Sequence, residues 1–255
     1  WKIRRLSHET GVAVGVIAGN LTRGPSYHET ALEHREVQTL FHEFGHLMHH
    51  LLSEVPIGAL SGTNVAWDFV ELPSQLLENW VWSPAALETL FTHKDSSEPM
   101  PRALIERLLM TRRFRSATGL IRQLSFSILD LELHRLEHPS KANETALANA
   151  RTFAPTMLPE DYSMVTAFGH LFSDSVGYSA GYYSYLWSQM LEADVFGRFE
   201  TEGVFSKETG RAFREKILAV GNLEPPMDAF IAFMGRGPRQ DALLARHGLL
   251  ENSST

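Results

Sequence analysis

The chain has 255 residues, 44% of them hydrophobic, and carries 30 acidic against 23 basic side chains for a net charge of −7. Plentiful apolar residues with ordinary Gly and Pro content exclude collagenous, coiled-coil and disordered classes, and the length suffices for one sizeable core. With no cysteine there is no disulfide framework and no thiolate metal site, so a metal must be held by His, Asp or Glu.

The first 30 residues are the least helical. Val12, Val14, Val16 and Ile17 predict one or two short strands before Gly, Asn and Pro intervene. A long helical pattern follows over 31–53, a Pro/Gly/Ser loop over 56–62, and a second helix over 64–80. Pro73 lies inside that second helix, where it removes a backbone hydrogen bond and should bend it. A short helix is predicted over 84–92, then a turn at KDSSEPMP. Apolar residues recur at helical spacing over 102–136, in one or two helices, until EHPSKANET breaks the pattern. After a further short helix comes the loop FGHLFSDSVGYSAG, then a helix over 182–200. Three shorter helices close the chain, with turns at Gly203, at Glu224-Pro225-Pro226 and at Gly235-Arg236-Gly237-Pro238. No repeat or long linker divides it, so residues 1–255 read as one mainly α domain with a small β element near the start.

Twelve histidines stand out, and His42, His46, His49 and His50 fall within nine residues. His42-Glu43-Phe44-Gly45-His46 fits H-E-x-x-H, in which two imidazoles one helical turn apart reach one metal and the Glu between them reaches a water. Chance supplies roughly 0.05 such matches in a chain like this, so context must decide. On a helical wheel Val37, Leu40, Phe41, Phe44, Leu47, Met48 and Leu51 share one face, predicted to be the core. His42 and His46 lie opposite, with His49 nearby. Solvated faces are usually built from Lys, Glu and Arg rather than His.

A catalytic zinc takes three protein ligands. Position 52 is Leu, so the third ligand comes from elsewhere. The next helix offers Asp68, Glu71, Gln75 and Glu78 on one stripe, with Phe69, Leu76 and Trp80 opposite. Glu71 is the candidate ligand and Asp68 a candidate acceptor behind a ligand imidazole. Glu78 reads equally well as a paired surface acid. His49 and His50 read as packing residues or as support behind the ligands.

The blocks FHEFGHLMHH, SGTNVAWDFVELPSQLLENWVW and FGHLF…GYSAGYYSYLW, in that order, resemble the thimet oligopeptidase and oligopeptidase A family of zinc metallopeptidases, nearer its bacterial branch. The resemblance runs through nearly the whole chain, tail included. It implies a zincin-like, neurolysin-like helical fold, with one Zn2+ per chain on His42, His46 and Glu71 and with Glu43 as general base. It also implies that His170, Tyr178, Tyr182 and Tyr185 contact the peptide and help stabilise the tetrahedral intermediate. Family members are much longer, and this chain, which starts at Trp1, corresponds to the C-terminal catalytic portion. Two departures mark it: Val176-Gly177-Tyr178 replaces the family's Gly-Gly-Tyr, and the spacing from His170 to Tyr178 is about two residues longer than in the bacterial branch.

Around the tyrosines, wheel positions put Tyr178 and Tyr185 together and send Tyr183 and Trp187 to packing. The expected activity is endopeptidase cleavage of short oligopeptides by a cytoplasmic monomer. Scattered Lys and Arg argue against nucleic acid, and apolar runs are too short for a membrane span. The competing readings are a non-catalytic, zinc-stabilised peptide-binding module and a portion inert without the rest of the family's chain.

Overall fold

The computed structural model describes residues 13–22, 24–26, 31–154, 156–159, 162–172 and 178–250. Eleven α-helices are found among them. They are α1 (His34–Leu51), α2 (Trp67–Leu77), α3 (Pro84–Leu90), α4 (Arg102–Arg113), α5 (Ser116–His134) and α6 (Ala142–Phe153). After these come α7 (Gly169–Phe172), α8 (Tyr183–Glu202), α9 (Lys207–Phe213), α10 (Pro226–Met234) and α11 (Asp241–Arg246). The chain is mainly α, as its periodicity predicts.

No strand occurs among the described residues; the isolated bridge between Thr92 and Pro99 is all that resembles one. Val12 lies outside the described residues. Val14 and Val16 are exposed in an extended segment. A strand is defined by a neighbour that completes its ladder, and valine-rich composition alone cannot supply one. What anchors this segment is Glu36: its Oε1 accepts from both the backbone N–H and the hydroxyl of Thr22 at 2.6 Å. Its Oε2 accepts from the Glu33 backbone N–H at 2.8 Å, closing a capping box at the start of α1.

The second predicted helix ends earlier than its apolar pattern. α2 runs on through Pro73 to Leu77, and Glu78–Trp82 tightens into a 3-10 turn. The buried Asn79 amide donates to the Leu76 carbonyl at 3.1 Å, satisfying a carbonyl that the helix end leaves open. The 102–136 stretch is two helices, separated at Arg115, whose φ of 57° breaks the helical run. At the other end of the chain Gly235, at φ 71°, closes α10 in the left-handed region open to glycine.

α2 is the centre of the molecule, with α1 packed on one side and α8 on the other. Its burial extends nearly all round: Phe69, Val70, Glu71, Leu72, Pro73, Ser74 and Leu76 are all buried. Phe69, Leu72 and Leu76 join Leu191, Val195 and Phe196 of α8 and Phe230 and Phe233 of α10 in the main core. A second cluster joins Leu129 and Leu133 of α5 to Phe168, Leu171 and Tyr182. A bidentate pair of Arg236 with Asp194, both contacts at 2.7 Å, ties the final turns to α8.

The face of α1 differs from expectation. Its buried residues are Gly45, His49 and His50, whereas Phe44 and Leu40 remain 44% and 39% exposed. The histidine side turns toward α2, and Phe44 and Met48 of the apolar stripe border an open groove with Leu76, Trp80 and Phe213. Gly45 makes this closeness possible: a Cβ there would stand 2.4 Å from the Ser74 Cα and 2.5 Å from the Pro73 carbonyl oxygen.

Candidate metal centre

The approach of α1 to α2 aims two imidazoles at one carboxylate. His42 Nε2 lies 3.3 Å and His46 Nε2 3.2 Å from the same Oε2 of Glu71. The ligand atoms of these three residues lie within 4.8 Å of one another, forming the one such group of metal-ligating side chains among the described residues. Ser74 Oγ donates to Glu71 Oε2 at 2.8 Å, fixing the carboxylate from within its own helix. Two imidazoles and a carboxylate turned inward at one point make a donor set that suits zinc.

Electrostatics follow from this crowding. Burial opposes the charged form of His42, but its bonds to Glu71 and Glu78 outweigh that and raise it to about 10. Burial likewise acts against the Glu71 carboxylate, and the bonds from His42 and His46 overcome it and hold its pKa well below the usual range. The acid and the His42 ring are thus bound together by a proton that a dication can replace. Glu43 sits between the two ligands in sequence. Burial raises its pKa against the opposing pull of His42 and His46. Its Oε2 is buried with no protein partner among the described residues.

The acceptor behind the His42 imidazole is Glu78, whose Oε1 takes the N–H of His42 Nδ1 at 2.7 Å. Its other oxygen accepts from Gln38, and Gln38 in turn accepts from the Trp82 indole at 3.2 Å. This chain sets the ring so that Nε2 faces Glu71. Asp68, the residue expected to act there, instead accepts from the Tyr183 hydroxyl at 2.9 Å. Asp68 stands in the first turn of α2 and Glu78 just beyond its end, and their contacts with α8 and α1 decide which one meets the ring. His49 lies behind the ligands, fully buried with neither ring nitrogen bonded. Burial, then the nearby His46 and His50, lowers its pKa to about 3, so its ring is neutral.

Tyr178 and Tyr185 stack with ring centroids 5.6 Å apart, and Trp67 leans on Tyr178 at 4.5 Å. Burial raises the pKa of both tyrosines, and the Glu71 charge raises both further, so each hydroxyl keeps its proton as a donor near the centre. Tyr182 packs its ring against Phe126 and Phe168. Tyr183 and Trp187, expected in the core, are 41% and 37% exposed. The backbone of His170 lies in α7; its side chain, and Val176-Gly177, lie outside what is described.

One group the sequence reading missed is Asp130 of α5. It is fully buried, accepts from the backbone N–H groups of Ala180 at 3.2 Å and Tyr182 at 2.8 Å, and pairs with His134 at 2.9 Å. It holds the entry to α8, where the tyrosines stand. Its amide partners lie about 50 residues away, and only His134, four residues on, is local.

Fold and site together define a mainly helical protein of the H-E-x-x-H class, its third candidate ligand supplied by the following helix. The chain belongs to peptidase family M3, whose model matches residues 3–249. It is 41% identical to oligopeptidase A of Escherichia coli over 240 residues, which is 92% of this chain and 35% of the relative. It is 42% identical to oligopeptidase A of Haemophilus influenzae over 85% of this chain and 32% of that protein. A probable cytosolic oligopeptidase A of Arabidopsis thaliana is 41% identical over 86% and 32% respectively. The chain therefore spans about a third of the length of the curated relatives it matches.

Proposed function

We propose that this chain is the catalytic portion of a zinc metalloendopeptidase, zincin-like in arrangement, that hydrolyses peptide bonds in short oligopeptides. The observation that carries this reading is the convergence of His42, His46 and Glu71 within 4.8 Å beside a Glu43 whose Oε2 has no protein partner. His42, His46 and Glu71 would hold one zinc ion per chain, which when bound supplies Lewis acidity that polarises a carbonyl and acidifies a water.

Glu43 takes the attacking water's proton on its carboxylate and returns it to the leaving amine nitrogen. Its raised pKa suits both halves of that cycle. Tyr178 and Tyr185 donate hydrogen bonds to the carbonyl oxygen as it gains charge, a contribution of about 3–4 kcal/mol when aligned. His170 and Tyr182 complete the contacts to the peptide. Glu78 orients His42, and Asp130 orients the segment that carries the tyrosines. A cytoplasmic monomer completes the proposal. Among the described residues no helix is long and apolar enough to cross a membrane.

A non-catalytic, zinc-stabilised peptide-binding module would keep the three ligands but has no use for Glu43. Metal content measured alongside cleavage of a quenched-fluorescent peptide separates the readings: cleavage should be blocked by a chelator and restored by zinc. Glu43→Gln should retain the metal and lower kcat by about 10³-fold, within the range for loss of a general base. Wild-type turnover in that variant would remove Glu43 from the mechanism. A portion inert on its own would bind zinc yet cleave only when the remaining part of a relative's chain is added in trans.

A further inference from the structure

Next to the candidate metal centre, on the Nδ1 side of His42, lies a polar cavity of about 570 Å3 bordered by Glu78, Arg112, Tyr185, Glu192 and Arg246. Its size is that of a small-ligand site. Four of its groups are charged, and their partners differ. Glu78 is engaged at both oxygens by His42 and Gln38. Glu192 is buried and engaged by Arg246 through two contacts and by the Asn79 amide at 2.6 Å. Arg246 is thereby neutralised.

Arg112 is different. Its Nη2 donates to the neutral Asn79 Oδ1 at 2.8 Å, and its guanidinium lies over the Trp82 ring at 5.3 Å. No carboxylate among the described residues stands within ion-pair distance of it. Burial, then the neighbouring Arg246, brings its pKa down to about 10, so at neutral pH it still carries its charge. A half-buried guanidinium in a cavity, held flat by an aromatic face and one amide, is preset to receive a planar anion bidentately. Because Glu78 and Tyr185 form part of the cavity wall and also belong to the metal centre or its tyrosine pair, one short peptide can occupy both places.

We propose that Arg112 binds a carboxylate of the peptide substrate in this cavity, anchoring the chain while the scissile bond lies at the metal centre. The inference rests on the peptidase reading for the nature of the ligand, but the binding it predicts requires no turnover. The carboxylate can be the peptide's C-terminus or an acidic side chain. Calorimetric titration of the wild-type protein and of Arg112→Gln and Arg112→Lys with N-acetyl-dialanine and its C-terminal amide, and with N-acetyl-glutamate amide and N-acetyl-glutamine amide, tests both sources. The acid of one pair should bind the wild type at least about tenfold more tightly than its uncharged counterpart. That preference should vanish in Arg112→Gln and survive in part in Arg112→Lys. A preference in the first pair assigns the C-terminal carboxylate, and one in the second assigns a side chain. Equal affinities in both pairs, or a preference that Arg112→Gln leaves intact, would overturn the proposal. Should Arg112→Gln fail to fold, the wild-type pairs and Arg112→Lys still decide. If peptides are not cleaved even with the remaining part of a relative's chain added in trans, but the acid preference appears, the peptidase reading fails while the carboxylate site stands.

Discussion

Two buried carboxylates organise this protein, and their partners separate chemistry from scaffolding. Glu71, on α2, is bonded by the side chains of His42, His46 and Ser74. Asp130, on α5, is bonded by the backbone N–H groups of Ala180 and Tyr182 and by His134. Imidazoles can give up a shared proton to a metal ion, so the Glu71 corner can change its occupant. Backbone amides cannot be exchanged in that way, so the Asp130 corner can only hold a shape. A buried acid is costly in either place unless fully bonded; the identity of the donors determines whether the outcome is a site or a clamp.

The contrast breaks most visibly at Asp130. Asp130→Ala leaves the N–H groups of Ala180 and Tyr182 without their acceptor and takes the carboxylate from His134, and should cost about 3–5 kcal/mol in urea unfolding. Metal content should be unchanged, because the Glu71 corner is independent of it; loss of metal would mean that the two corners are one unit. Gly45→Ala comes next. Its methyl group meets the backbone of Pro73 and Ser74 and should destabilise the fold by about 1–3 kcal/mol. Here metal affinity should fall as well, since α1 and α2 carry the ligands between them. Glu78→Gln sharpens the comparison further by removing only the charge behind His42. A 10- to 100-fold weaker zinc affinity is expected, with little change in the unfolding midpoint of the metal-free protein.

One further effect concerns acid stability. His49 is held neutral in the fold, its pKa lowered from 6.5 to about 3. As pH falls between those values the unfolded chain takes up a proton that the folded chain refuses. The contribution of this residue is therefore fully present above pH 6.5 and lost at about 1.4 kcal/mol per pH unit below it. His49→Leu should flatten that part of the stability profile, measured by urea unfolding between pH 7 and pH 4. An unchanged slope would place the acid sensitivity elsewhere.

Local periodicity carries information about a helix's own neighbours three and four residues away, and that was enough for much of this molecule. It placed His42 and His46 one turn apart with Glu43 between them, put Glu71 on the stripe of the next helix, and located nearly every helix, because these features depend only on 3.6 residues per turn. It misread the face of α1. A wheel treats apolar residues as inward, whereas this helix spends its buried side on His49, His50 and a glycine contact with α2. It could not choose Glu78 over Asp68, since a wheel puts both on one stripe and the choice rests on contacts with α1 and α8 that no wheel contains.

The amino-acid order by itself thus determined a mainly helical chain, a paired-imidazole motif with an intervening acid, and a second acid on the following helix. Tertiary structure alone decided that Glu78 orients His42, that Asp130 fastens the entry to α8, and that Arg112 and Arg246 share a cavity but only Arg246 meets a carboxylate. Those relations join residues tens of positions apart, and their distances are fixed by how the helices pack against one another, a quantity no single helix encodes.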